Sequence, residues 1–118
     1  EFELPPPWAA APTHTRARLV VEKGGEELEA LPIGEHEMYT FGRSLTSDFQ
    51  LDHPSVSRMH AAIVHHENGG VYLIDLNSAH GTAINGRSLR PHEASLLREG
   101  ASITFGASSR LYRLHGTP

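Results

Sequence analysis

The sequence predicts an all-β sandwich of about ten or eleven short strands. Three observations carry that prediction: short apolar runs rich in Val, Ile, Leu, Phe and Tyr; turn clusters of Gly, Asn, Asp and Pro closely spaced between them; and no convincing stretch of helical periodicity. At 118 residues the chain has the size of one domain, able to bury a single core without covalent staples and too short for a second.

Residues 1–15 carry Pro5, Pro6, Pro7 and Pro12, a composition that favours extended backbone over a packed element, so a strap or tail is expected ahead of a domain spanning 16–118. Glu1-Phe2 is compatible with a vector-derived scar. Trp8 either docks on the sandwich or anchors a mobile tail; the sequence leaves both open. Leu19-Val20-Val21 and Leu28 to Leu31 flank Lys23-Gly24-Gly25-Glu26, a hairpin signal. Met38 to Phe41 alternates into Gly42, and Phe49 with Leu51 forms a short strand before the Asp52-His53-Pro54-Ser55 turn. Ala61 to His65 turns through Asn68-Gly69-Gly70 into Val71 to Leu76, the most apolar run and hence a predicted central strand. Asn85-Gly86 is the strongest two-residue hairpin signal, because both turn positions need positive φ. Glu93 to Arg98 has room for one helical turn. Ile103 with Phe105, and Tyr112 with Leu114, supply two closing strands around Gly106 to Ser109.

Composition removes several function classes. Cysteine is absent, which excludes a disulfide framework and a thiolate zinc site. The formal charge of -4 argues against general nucleic-acid affinity, which needs a broad basic face. No apolar run approaches the roughly 20 residues needed to cross a bilayer, and no leader-like pattern opens the chain, so a soluble, intracellular protein without membrane contact is expected; it is also expected to be a monomer.

Three polar clusters sit between the strands: Gly42-Arg43; Ser57-Arg58-Met59-His60; and Ser78-Ala79-His80-Gly81-Thr82 followed by Asn85-Gly86. Each supplies cationic or hydroxyl donors and hardly any nucleophile or acid, which is the chemistry of an anion grip. Arg43 follows a glycine at a strand end, where a planar fork of donors suits a phosphate or carboxylate. Alone, such an arginine is usually a solvated surface charge. Ser57 and Arg58 open the next strand, where a hydroxyl and a second cation can reach the same anion.

The order and spacing of these clusters resemble the forkhead-associated (FHA) domain, a phosphothreonine-binding β-sandwich, from about Tyr39 to about Leu114. Further stretches carry the resemblance: Tyr39-Thr40-Phe41-Gly42-Arg43, Asp52-His53-Pro54-Ser55-Val56-Ser57-Arg58, Leu73-Ile74-Asp75-Leu76-Asn77-Ser78, Arg90-Pro91-His92 and Phe105-Gly106-Ala107-Ser108-Ser109-Arg110. It implies ligand loops at one end of an FHA-type sandwich, with Arg43, Ser57, Arg58, Ser78, Ala79 and His80 meeting a phosphopeptide. Gly42, His60, Gly81, Asn85 and Gly86 would be structural, the His60 imidazole tying its loop to a neighbour. Asp75 to Thr82 departs from the family's Asp-Leu-x-Ser-Thr-Asn-Gly-Thr pattern twice: Ala79 stands for the usual Thr, and His80 for the usual Asn. Histidine before Gly-Thr is similar to the nuclear inhibitor of protein phosphatase 1 subgroup, as is Pro7-Trp8-Ala9. That likeness implies nuclear partners phosphorylated at Thr-Pro sites, on splicing or mitotic factors. Phosphatase inhibition is not expected of these residues, which hold no basic-aliphatic-x-aromatic docking sequence.

Other readings are weaker. Nine histidines invite a metal site, but adjacent His65 and His66 on a strand face opposite ways and no His-Glu-x-x-His helix exists, so no metal or other cofactor is expected. Ser57, His60 and Asp75 could be drawn as a hydrolase triad, yet Ser57 lies in no Gly-x-Ser-x-Gly elbow and nothing beside it reads as an oxyanion hole, so no catalytic residue is assigned. A structural interaction domain that has lost phosphopeptide binding is the remaining alternative, raised by Ala79 and His80.

Overall fold

The computed structural model describes residues 3–117 and contains eleven strands and, among those residues, no helix. Glu1-Phe2 lies outside the described residues. In chain order the strands are β1 (Arg18–Lys23), β2 (Glu26–Pro32), β3 (Met38–Gly42), β4 (Phe49–Gln50), β5 (Ala61–His65), β6 (Val71–Asp75), β7 (Thr82–Ile84), β8 (Arg87–Ser88), β9 (Ser95–Leu97), β10 (Ser102–Phe105) and β11 (Leu111–His115). They form a six-stranded sheet in the order β2-β1-β11-β10-β7-β8 and a five-stranded sheet in the order β4-β3-β5-β6-β9. All pairings are antiparallel except the short β3–β4 contact, where Phe41 and Gly42 run parallel to Phe49 and Gln50.

The alternation read from the sequence decides which side chains fill the space between the sheets. Leu19 and Val21 of β1, Phe41 of β3, Ile63 of β5, Leu73 of β6, Ile103 and Phe105 of β10 and Leu114 of β11 are fully buried there. Phe41 stacks on Phe105 across the interface at 5.3 Å, tying one sheet to the other at the strand ends that carry the loops. Asn85 and Gly86 have φ of 50° and 80°, the double left-handed geometry of the two-residue hairpin joining β7 to β8.

One expectation changes. Glu93 to Arg98 holds no helical turn: Ser95–Leu97 is β9, pairing with β6 as Val71↔Leu97 and Leu73↔Ser95. One buried residue, Leu97, is too little local signal to reveal a strand that exists through a distant partner. β6, the most apolar run, is an interior strand of the five-stranded sheet, between β5 and β9.

β5 is buried along its whole length because both its faces are covered. Its outer-face residues Ala62 and Val64, together with Ile74 of neighbouring β6, lie under Leu4, Trp8, Ala9, Met38 and Leu76. Trp8 stacks on His66 at 4.6 Å and meets Tyr72 edge-on at 5.6 Å. The Ala10 amide donates to the His65 carbonyl (3.0 Å) and the Glu67 amide to the Trp8 carbonyl (3.0 Å). The Pro-rich segment therefore straps the sheet, with Trp8 docked.

Candidate functional site

Close backbone packing builds the site first. A Cβ at Gly42 would stand 2.1 Å from the Arg58 carbonyl oxygen, so only glycine lets the β4–β5 loop lie against the end of β3. That approach forms two main-chain hydrogen bonds: Arg43 N–H to Ser57 C=O at 3.0 Å and Ser44 N–H to Arg58 C=O at 3.1 Å. The Arg43 Nε–H donates to the carbonyl of buried Val56, which fixes the guanidinium. Among the described residues neither Nη of Arg43 has an acceptor, and the exposed Arg58 guanidinium has none either.

A buried histidine and a buried aspartate then hold the loops in register. His60 is fully buried, edge-on to Phe105. Its Nδ1 accepts from the Ser57 N–H (3.0 Å) and its Nε2 faces the Gly81 carbonyl at 2.8 Å. An amide donor on one nitrogen and a carbonyl on the other require a neutral ring protonated at Nε2. Burial holds the imidazole below its ordinary pKa, against the opposing Gly81 hydrogen bond and the nearby Asp75 charge. Asp75, buried at the end of β6, accepts from Ser78 Oγ (2.5 Å), Ser78 N–H (3.1 Å) and Thr82 Oγ1 (2.6 Å), shaping the β6–β7 loop from within. Ser57 Oγ completes the join by accepting the Ala79 N–H at 2.9 Å.

Arg43, Ser57, Arg58, Ala79 and His80 thus lie on three loops bonded to one another. The Ser57 hydroxyl has a hydrogen to donate outward, since no described residue accepts it. The Ala79 methyl and the His80 ring are exposed. Ser78 differs from Ser57: its hydroxyl hydrogen goes to Asp75 and its oxygen accepts the Gly81 N–H (3.0 Å), so in this structure the side chain is engaged in holding the loop. The drawn triad does not form, because His60 Nδ1 bonds the Ser57 amide rather than its hydroxyl and Asp75 bonds Ser78 and Thr82 rather than His60. His65 and His66 do face opposite ways: His65 Nε2 donates to the buried Ile33 carbonyl at 2.6 Å, while His66 stacks on Trp8.

Two residues that hold the site together, Asp75 and Ser55, carry no binding or structural assignment from the sequence beyond a motif, a rejected triad and a turn. Ser55 Oγ accepts the Ala107 N–H at 2.7 Å and contacts His53 Nδ1 at 2.8 Å, tying the β10–β11 loop to the same end. The Asp75-x-x-Ser78 spacing was the available signal, as an aspartate capping a turn three residues on. The Val56 carbonyl leaves no trace in residue type.

The FHA domain family profile matches residues 39–106, from β3 to the first residue after β10. The chain belongs to the FHA domain family. It is 43% identical over 115 residues to the nuclear inhibitor of protein phosphatase 1 of Homo sapiens, covering 96% of this chain and 32% of that protein. The chain therefore spans about a third of that curated relative. Two solved structures share the fold. The yeast Pml1 splicing factor superposes with a TM-score of 0.82 at 18% identity, covering 96% of this chain and 95% of that one. The N-terminal FHA domain of S. cerevisiae Rad53p, solved with a phosphothreonine peptide, superposes with a TM-score of 0.69 at 23% identity, covering 84% and 90%.

Proposed function

We propose that this FHA domain is a phosphothreonine-dependent protein-binding module that performs no chemistry. The observation that carries the reading is the Arg43 guanidinium, anchored through Nε while both Nη groups stay without a protein acceptor, beside Arg58 and the outward-donating hydroxyl of Ser57. Two cations and a hydroxyl on mutually bonded loops suit a dianionic phosphate and lack the base and nucleophile of a hydrolase. The Ala79-His80 stretch is assigned to the backbone of the bound peptide. A proline after the phosphothreonine, and nuclear splicing or mitotic partners, are inferred from the likeness to the nuclear inhibitor of protein phosphatase 1. The same reading takes residues 16–118 as the binding domain, acting as a monomer in the nucleus without nucleic acid, metal or other cofactor. Ala79 favours one rival, a sandwich kept for structure alone, since it lacks the hydroxyl of the family pattern.

Calorimetric titration with a phospho-Thr-Pro peptide, its Thr-Ala counterpart and the unphosphorylated twin tests both. Binding only to phosphorylated peptides, and more tightly with proline, is expected. Equal behaviour of phosphorylated and unphosphorylated peptides selects the structural reading.

A further inference from the structure

Single exposed leucines are ordinary on protein surfaces, so only a convergence of them is informative. Four large apolar side chains are exposed among the described residues: Leu28 and Leu96, 43% and 41% exposed, lie on edge strands β2 and β9. The other two are far more open, Leu45 at 85% and Met59 at 61%, and both belong to the loops that carry the site. Each follows directly on one partner of the Ser44–Arg58 main-chain hydrogen bond. One main-chain hydrogen bond of 3.1 Å keeps the Ser44 and Arg58 Cα atoms within about 7 Å, and neighbours along the chain are about 3.8 Å apart, so the Leu45 and Met59 Cα atoms lie within about 15 Å of each other.

Neither loop is loose. Ser44 is buried; its Oγ accepts the Thr46 N–H (3.2 Å) and bonds Thr46 Oγ1 (2.8 Å), and its carbonyl accepts the Ser47 N–H (3.1 Å). Leu45 is thus presented to solvent by a bonded turn, where a polar residue would cost nothing. Met59 sits between Arg58 and fully buried His60, which fixes its position along the chain. An unbranched thioether side chain adapts to varied apolar partners.

We infer that Leu45 and Met59 form an apolar subsite beside the cationic one, selecting an apolar side chain that flanks the phosphorylated residue in the bound segment. This rests on the phosphopeptide reading, and its occupant is fixed by continuity: a peptide held by Arg43 and Arg58 continues past the residues next in sequence to Ser44 and Arg58. The side selected is the one facing the β3–β4 and β4–β5 loops, away from Ala79 and His80.

The test uses phosphothreonine peptides identical except that each flanking position in turn carries Leu or Ser, titrated into the wild type, Leu45→Ser, Met59→Ser and the double variant. At one or more positions Leu should raise wild-type affinity about five-fold or more over Ser, as expected for partial burial of one aliphatic side chain. The double variant should lose that gain while binding the all-Ser phosphopeptide within about two-fold of wild type, with an unchanged melting temperature. No gain at any position, or a gain that persists in the double variant, overturns the subsite and leaves phosphate recognition standing. A wild type that binds none of the phosphopeptides overturns the underlying reading and the subsite together.

Discussion

His60→Ala should both destabilise the domain and disable its site, because one ring joins two loops. Removing it takes the acceptor from the Ser57 N–H and a donor from the Gly81 carbonyl, which keeps the Gly106 N–H at 2.8 Å. A buried donor left unsatisfied costs about 1 to 3 kcal/mol, and a carbonyl that retains one partner costs less. The emptied space beside Phe105 adds a cavity term, and large-to-small changes in cores run to about 2 to 5 kcal/mol. The terms overlap, since water entering the cavity can serve the amide, so about 3 to 5 kcal/mol in total is expected. Domains of this kind have about 5 to 15 kcal/mol to lose, so the variant should fold under mild conditions. Urea unfolding at neutral pH measures the loss as a lower midpoint with unchanged slope. Phosphopeptide affinity should fall in the same variant, since Ser57 and Ala79 are held through that ring. A loss under about 1 kcal/mol with intact affinity would refute the assignment of His60 as the tie between the loops.

Acidification should destabilise the protein. Burial, opposed by hydrogen bonds to the Gly81 and Ile33 carbonyls, lowers the pKa of both His60 and His65, so below the unfolded value of about 6.5 the unfolded chain binds more protons than the folded one. Stability is then full above about pH 6.5 and declines as pH falls through the lowered folded values; melting temperatures from pH 8 to 5 check this, and a flat profile contradicts it. Trp8→Ala should cost about 2 to 3 kcal/mol, below the range for a fully buried aromatic because Trp8 is half-buried, and should expose the sheet face of Ala62, Val64 and Ile74; an unchanged urea midpoint would mean the strap adds nothing. Ala79→Thr should leave phosphopeptide affinity unchanged or improve it by about 0.5 to 1.5 kcal/mol, one added hydrogen bond. A wild type that fails to bind while Ala79→Thr with His80→Asn binds readily would make this domain a relic.

Most of the sandwich was legible because its signals are local. Short apolar runs between turn signals marked β1, β3, β5, β6, β10 and β11, and Asn85-Gly86 marked the β7–β8 hairpin with the backbone geometry that pair favours. β9 was not legible, since its three residues owe their conformation to β6. The strap was seen as extended, but its docking depends on a sheet face contributed by residues more than fifty positions away, so Trp8 stayed open. At the site, residue types named the outward donors Arg43, Ser57 and Arg58. Residue type alone does not separate a serine that can donate outward from one that cannot; the Asp75-x-x-Ser78 spacing, absent before Ser57, is what distinguishes them. The anchoring of Arg43 on a carbonyl was invisible, because any residue at position 56 supplies one.

Arg43 carries the proposed function most directly, and the decisive measurement is calorimetric binding of one phosphothreonine peptide and its unphosphorylated twin to wild type, Arg43→Lys and Arg43→Ala. Charge-assisted hydrogen bonds of about 1.5 to 3 kcal/mol predict that Arg43→Ala binds the phosphopeptide roughly ten- to a hundred-fold more weakly, or worse. Arg43→Lys should fall between, keeping the charge without the fork or the bond to the Val56 carbonyl. Because that bond is lost in both variants, a stability change of about 1 kcal/mol is expected and is read separately by thermal unfolding. Arg43→Ala binding the phosphopeptide as tightly as wild type, or wild type failing to distinguish it from its unphosphorylated twin, would contradict phosphate recognition by this site.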